Sequence, residues 1–161
     1  MSEDKTYIAI DPSVKHIGIA YKIGNTPVKW MQVNFPLDRK VARGDELVKC
    51  CNTIMTKIRA FGLQNANAGF IEYPNFQMSE RGQIAAQKGY TIDLGYVCGF
   101  ICAAMPKTAW TLKTPTEWKG QQTKEAIGIK FTQWSGIPYQ DVSDHCYEAA
   151  SMLKQLVEMQ P

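Results

Sequence analysis

Long apolar stretches and patterned cysteines are missing from this sequence. The first apolar run, Tyr7 to Ile10, stops at Asp11, so it is too short for a membrane span or for the core of a signal peptide. The 5 cysteines are an odd number and contain no Cys-x-x-Cys pair, which argues against both a disulfide framework and a zinc site. We therefore expect a cytoplasmic protein with reduced cysteines and no membrane partner.

Low-complexity segments and internal repeats are also absent. The chain has 161 residues, of which 45% are hydrophobic, so it can bury one core but is too short for two ordinary domains. We expect a single domain that spans residues 1–161. The net charge of +3 is a weak hint of a polyanionic partner, because solubility alone explains such a value.

Three strand signals occupy the first part of the chain. Tyr7–Ile10 is a short apolar run that ends at Asp11, and the proline that follows cannot continue a central ladder. His16–Tyr21 and Val28–Val33 are two further strand candidates, separated by the turn signal at residues 24–27. This pattern predicts an antiparallel meander of three strands.

Strands alternate with helices in the rest of the chain. Ala68–Glu72 is another apolar run closed by a carboxylate, and a fifth strand is predicted near Thr108–Leu112. Helices are predicted over about Arg43–Phe61, Ser79–Ala104, Lys124–Trp134 and Val142–Val157. Strand–helix–strand units need a crossover, so we predict an α/β fold with a mixed five-stranded sheet. Its first three strands are antiparallel, and helices flank it.

Acidic side chains occur where three of these elements end or begin. Asp11 and Glu72 each close an apolar strand, which places both at the same end of the sheet. In the last helix Asp144 precedes Glu148 by four residues and His145 precedes it by three, so either pair can converge from consecutive turns. If this helix begins near the strand ends, three or four carboxylates meet there. Such crowding raises pKa values and costs stability unless a hard divalent cation such as Mg²⁺ offsets the charge.

Each of these residues also has a structural interpretation. Taken alone, Asp144 in a first helical turn is more often a capping or dipole-stabilising residue than a ligand. Asp11 before proline can be a turn former, and His145 can be a helix residue with a hydrogen-bonded imidazole. Glu72 is harder to explain structurally, because a carboxylate that ends an apolar strand has no local capping role.

Three segments together resemble the acidic motifs of a known family. They are Tyr7-Ile8-Ala9-Ile10-Asp11-Pro12-Ser13, Phe70-Ile71-Glu72-Tyr73-Pro74 and Asp144-His145-Cys146-Tyr147-Glu148-Ala149, and they frame nearly the whole chain. In these motifs the sequence is similar to the RuvC Holliday-junction resolvases. The resemblance implies a single RNase H-like nuclease domain of a bacterial or phage-type intracellular protein. It further implies a homodimeric, Mg²⁺-dependent endodeoxyribonuclease that cuts four-way DNA junctions by symmetric nicking, with Mn²⁺ able to substitute.

The resemblance also implies roles for individual residues. Asp11 and Glu72 match the metal ligands of two strands, and His145 and Glu148 match the spacing of the last motif, with Asp144 as an extra acid beside them. The implied metal ligands are Asp11, Glu72 and Glu148 with either Asp144 or His145. His145 is also implied to orient water or to touch a metal-bound phosphate. Two positions depart from the family pattern. Ser13 stands where the family usually has glycine after Asp-Pro, and Glu148 replaces Asp, which lengthens the ligand by one methylene.

Basic residues cluster between Lys107 and Lys130, which predicts a basic surface beside the acidic pocket. Residues 114–124 resemble the family's basic segment, and we expect Lys119 and Lys124 to contact DNA phosphates. Phe76 is a candidate for stacking on an unpaired base, and Arg81 for a phosphate contact beside it. A solvated lysine face and core packing of Phe76 are the structural alternatives.

The functional hypothesis is a Holliday junction resolvase of DNA recombination and repair that acts as a homodimer. Gly95-x-x-x-Gly99 is a candidate dimer surface, although packing within the chain explains it equally well. One alternative is another RNase H-fold nuclease that acts on flaps or RNA–DNA hybrids. A second alternative is a non-catalytic junction-binding module, against which the convergent carboxylates argue because a scaffold has no use for them.

Overall fold

The computed structural model describes residues 4–13, 15–35, 43–75, 83 and 89–159. Within these ranges the strands are β1 (Thr6–Asp11), β2 (His16–Ile23), β3 (Lys29–Asn34), β4 (Ala68–Glu72) and β5 (Ala109–Lys113). The α-helices there are α1 (Arg43–Ala60), α2 (Tyr90–Ala104), α3 (Pro115–Lys119), α4 (Lys124–Ser135) and α5 (Asp144–Glu158), and Tyr139–Asp141 forms a 3-10 turn. No helix in the described part of the chain is long and apolar enough to span a membrane.

The sheet has the strand order β3-β2-β1-β4-β5. The pairs β1–β2 and β2–β3 are antiparallel, whereas β1–β4 and β4–β5 are parallel. The predicted mixed sheet with an antiparallel first part is therefore confirmed. Ile10 lies opposite Ile71 in the parallel pair, so Asp11 and Glu72 follow at the same edge of the sheet.

Alternate side chains of β1 enter cores on the two faces of the sheet. Ile8 and Ile10 pack with residues of α1 and α2, and both are fully buried. Tyr7 and Ala9 belong to a second core with residues of α4 and α5. Burial contributes roughly 1.5–3 kcal/mol for each large aliphatic side chain, so the position of β1, and with it that of Asp11, is strongly determined.

Helix α5 lies directly against β1 and β2 because the strand residues that face it are small. Ala9 and Ala20 share a core with Ala149 and Ala150. Gly18 is the tightest point, since a Cβ atom there would lie 2.0 Å from the backbone oxygen of His145. Gly18 also pairs with Asp11 across the β1–β2 ladder, so this close approach brings the first turns of α5 to the end of β1.

Some element boundaries differ from the prediction. The last helix begins at Asp144 rather than Val142, because a 3-10 turn precedes it and Ser143 takes the N-cap position. Helix α3 was not predicted, although Thr114 and Glu117 form a capping box and Pro115 stands at its first position. The predicted helix over Ser79–Ala104 is described from Tyr90 onward, and most of its first part lies outside the described residues.

We predict that Gly18→Ala destabilises the protein by about 3 kcal/mol, because the added methyl group meets backbone that cannot rotate away. Chemical denaturation followed by circular dichroism measures this change. Gly44→Ala is the matched control, since a Cβ atom at Gly44 meets nothing within 4 Å among the described residues. Equal stability of the two variants would show that α5 does not depend on the close approach at Gly18.

Candidate metal centre

Three predicted site residues meet at one edge of the sheet. Ligand atoms of Asp11, His145 and Glu148 lie within 4.8 Å of one another. Asp11 and Glu148 are each only 2% exposed. Glu72 joins the cluster through Lys119, whose Nζ lies 3.1 Å from Glu148 Oε1 and 3.5 Å from Glu72 Oε2. The end of β1, the end of β4 and the first turns of α5 thus build one acidic cluster, defined here as Asp11, Glu72 and Glu148.

The acidic cluster resists full ionisation. Burial raises the pKa of Asp11 well above its usual value, and the nearby carboxylates of Glu72 and Glu148 raise it further. Burial also raises the pKa of Glu72, although Lys119 and a hydrogen bond from Trp118 act in the opposite direction. A cation placed among these oxygens would therefore stabilise their charged forms.

Lys119 supplies part of that positive charge. It stands at the end of α3, and its side chain is only 17% exposed. One ammonium group faces two carboxylates of the acidic cluster, so a negative charge remains when all three acids are ionised. The sequence predicted Lys119 as a phosphate contact, and the structure places its ammonium group inside the cluster itself.

Trp118 orients Glu72. Its indole Nε1 donates a short hydrogen bond to Glu72 Oε2, and its ring is almost fully buried. The backbone oxygen of Trp118 accepts a hydrogen bond of 3.3 Å from Gln155 on α5, which ties α3 to that helix. Sequence reasoning missed this role, although a tryptophan beside a predicted site lysine in a capped segment was a usable signal.

His145 contacts Asp11 through one ring nitrogen. His145 Nδ1 lies 2.8 Å from Asp11 Oδ2, and when Asp11 is ionised the Nδ1–H donates to this carboxylate and the Nε2 lone pair is available. Burial lowers the pKa of His145, and the Lys124 ammonium lowers it further, while nearby acids oppose this. The neutral ring is therefore favoured at neutral pH.

Asp144 lies apart from the acidic cluster. Its side chain is 40% exposed, and Lys124 Nζ donates to its Oδ2 at 2.6 Å. Partial burial acts to raise the pKa of Asp144, but the hydrogen bond from Lys124 and the charge of its ammonium group help to bring it below its usual value. Its ligand atoms group with those of His145 and His16 rather than with those of Asp11 and Glu148.

The predicted DNA contacts have different outcomes in the structure. Lys119 forms ion pairs with Glu72 and Glu148, and Lys124 forms one with Asp144. The two lysines therefore lie among the acidic residues of the site. Phe76 and Arg81 lie outside the described residues.

The donor set fits a hard divalent cation. The acidic cluster offers carboxylate oxygens, and no cysteine belongs to the ligand groups found among the described residues. Mg²⁺ prefers such oxygen ligands and keeps part of its water shell. The raised pKa values of Asp11 and Glu72 show the electrostatic cost that such an ion would relieve.

The mixed five-stranded sheet with helices on both faces is an RNase H-like fold, as the solved structures that it matches indicate. Among solved structures the chain is similar to Thermus thermophilus RuvC, with a TM-score of 0.64 and 13% identity over 92% of this chain and 90% of that one. It is also similar to T. thermophilus RuvC in complex with a Holliday junction substrate, with a TM-score of 0.63 and 11% identity over the same shares. No protein-family model and no curated protein matches the sequence.

Proposed function

We propose that this protein is a RuvC-like, metal-dependent endonuclease that resolves four-way DNA junctions in recombination and repair. The observation that carries the proposal is the convergence of Asp11, Glu72 and Glu148 at one edge of an RNase H-like sheet. The similarity to a RuvC structure solved with a Holliday junction substrate favours branched DNA as the substrate. A module that only binds junctions would have no need to bury these acids together.

The acidic cluster would hold Mg²⁺ through the carboxylates of Asp11, Glu72 and Glu148, and Mn²⁺ accepts the same ligands. When bound, such ions activate a water molecule and stabilise the leaving oxygen in phosphodiester hydrolysis. The neighbouring side chains keep the ligands in place. His145 holds Asp11 through its ring nitrogen, and Trp118 holds Glu72 through its indole N–H.

Lys119 and Lys124 are suited to receive the DNA backbone. The Lys124–Asp144 pair is about half exposed, and exposed pairs contribute little, so a phosphate readily replaces Asp144 as the partner of Lys124. Lys119 faces both Glu72 and Glu148, so its ammonium group is placed to contact the phosphate of a strand that lies at the acidic cluster. We include Asp144 and His145 in the catalytic set, because His145 contacts Asp11 directly and Asp144 lies beside His145.

We expect Asp11→Asn and Glu72→Gln to lower the rate of junction nicking at least about 1000-fold, or about 4 kcal/mol, because each removes a carboxylate ligand while keeping its shape. Both variants should still bind the junction, because the lysines that face phosphate are retained. Cleavage assays measure the activity and the substrate preference, with Mg²⁺ and with chelator. The labelled substrates are a four-way junction, a linear duplex, a flap and an RNA–DNA hybrid.

Glu125→Gln is the control for this experiment, since Glu125 is an exposed acid in the first turn of α4. It should nick junctions at the rate of the unchanged protein. Full nicking by Asp11→Asn or Glu72→Gln would contradict the assignment of the acidic cluster. Faster cleavage of flaps or hybrids than of junctions would replace the resolvase with another nuclease of this fold.

We further propose that the protein acts as a homodimer through the exposed face of α2. Ile92 is 76% exposed and Tyr96 is 45% exposed on this helix. A Cβ atom at Gly99 would meet nothing within 4 Å among the described residues, so packing within that part of the chain does not require this glycine. A four-way junction has two equivalent strands to cut, and a twofold dimer presents two identical sites to them.

Ile92→Arg should raise the dissociation constant of the dimer about 100-fold, or about 2.7 kcal/mol, because it places a charge in an apolar contact. Sedimentation velocity measures this change, and the junction products should shift from paired nicks to single nicks. Ile129→Arg on α4 is the matched control, since Ile129 is 46% exposed on another helix. Dimers that persist in Ile92→Arg would place the interface elsewhere.

A further inference from the structure

The two histidines of the chain meet at the start of α5. The sequence contains only His16 and His145, and their ring centroids lie 4.5 Å apart at an interplanar angle of 69°. His16 begins β2, whereas His145 belongs to the first turn of α5. Ligand atoms of His16, His145 and Asp144 all lie within 4.8 Å of one another.

His145 is prepared as a metal ligand on this side. Its Nδ1 contacts Asp11 at 2.8 Å, and an ionised Asp11 would accept from Nδ1–H and leave the Nε2 lone pair available, while Nε2 lies 3.9 Å from Asp144 Oδ1. Histidines that bind metal ions usually donate their second ring N–H to a carboxylate in this way, which fixes the tautomer and raises ligand basicity. Asp11, a member of the acidic cluster, therefore orients the His145 ring through Nδ1.

We propose that His16, Asp144 and His145 form a second metal site that takes a first-row transition-metal ion such as Zn²⁺, Co²⁺ or Mn²⁺. Two imidazoles and one carboxylate suit these ions, whereas Mg²⁺ prefers a shell of oxygen atoms. All three residues are partly exposed, so positions remain open for water or a phosphate oxygen. The site stands beside the acidic cluster, and the ring of His145 separates the two.

Lys124 competes with a metal ion for Asp144. Its Nζ lies 2.6 Å from Asp144 Oδ2 in a pair that is 55% exposed on the lysine side and 40% on the aspartate side. An exposed ion pair of this kind is weak, so a metal ion can displace the ammonium group. Lys15 also contributes positive charge near His16, and neither lysine offers a metal ligand in its charged form. Removal of Lys124 should therefore tighten metal binding.

The test is a titration of the metal-free protein with Zn²⁺, followed by calorimetry and by NMR of the two imidazoles. One equivalent of Zn²⁺ should shift the signals of both histidines, and an excess of Mg²⁺ should not displace it. His16→Phe keeps an aromatic ring at this position but removes the nitrogen that would bind the metal ion. It should weaken Zn²⁺ binding at least about tenfold, and Lys124→Met should tighten it about threefold.

His16→Asn serves as a second variant if the phenylalanine disturbs folding, which circular dichroism checks. Zn²⁺ affinity that is unchanged in a folded His16 variant would overturn the proposal, as would complete displacement of Zn²⁺ by Mg²⁺. The proposal does not rest on the proposed nuclease activity. If junction nicking fails while Zn²⁺ shifts both imidazoles, the nuclease assignment is wrong and this second metal site stands.

Discussion

The crowding of carboxylates in a largely buried site is the constraint on which this structure depends. Asp11 and Glu148 are almost completely buried, and Glu72 joins them through a shared lysine. Burial raises the pKa of Asp11 and of Glu72, and neighbouring like charges raise both further, so a cation bound among these oxygens would offset a cost to stability. The parallel pairing of β1 with β4 and the close approach of α5 at Gly18 both serve to bring these oxygens to one place.

Neighbouring side chains hold the like-charged carboxylates of the acidic cluster in place. Lys119 neutralises part of the charge, Trp118 fixes Glu72, and the His145 ring fixes Asp11. Each of these contacts orients a carboxylate of the acidic cluster. The two hydrophobic cores supply the stability of the sheet beneath this cluster.

Much of this arrangement could be predicted from local patterns. Short apolar runs closed by an acid predicted that Asp11 and Glu72 share one end of the sheet, and helical spacing put Glu148 near the start of the last helix. The position of Lys119 inside the cluster could not be predicted, because it depends on a short helix and on its packing against α5. The meeting of His16 with His145 was equally hidden, since it follows from a backbone approach that Gly18 permits. Glycine within a strand was the available signal for that approach.

Thermal unfolding of the protein and of Asp11→Asn, each with and without Mg²⁺, tests the account most directly. The folded-state pKa of Asp11 is raised, so the protein loses stability as the pH rises from the ordinary aspartate pKa towards the raised one, and this cost is present at neutral pH. Asp11→Asn should therefore be more stable than the unchanged protein by about 1 kcal/mol without divalent ions. Mg²⁺ at about 100 times its dissociation constant should stabilise the unchanged protein by about 2.7 kcal/mol and the variant far less. Equal responses of both proteins to Mg²⁺, or none in either, would contradict a metal site built on these carboxylates.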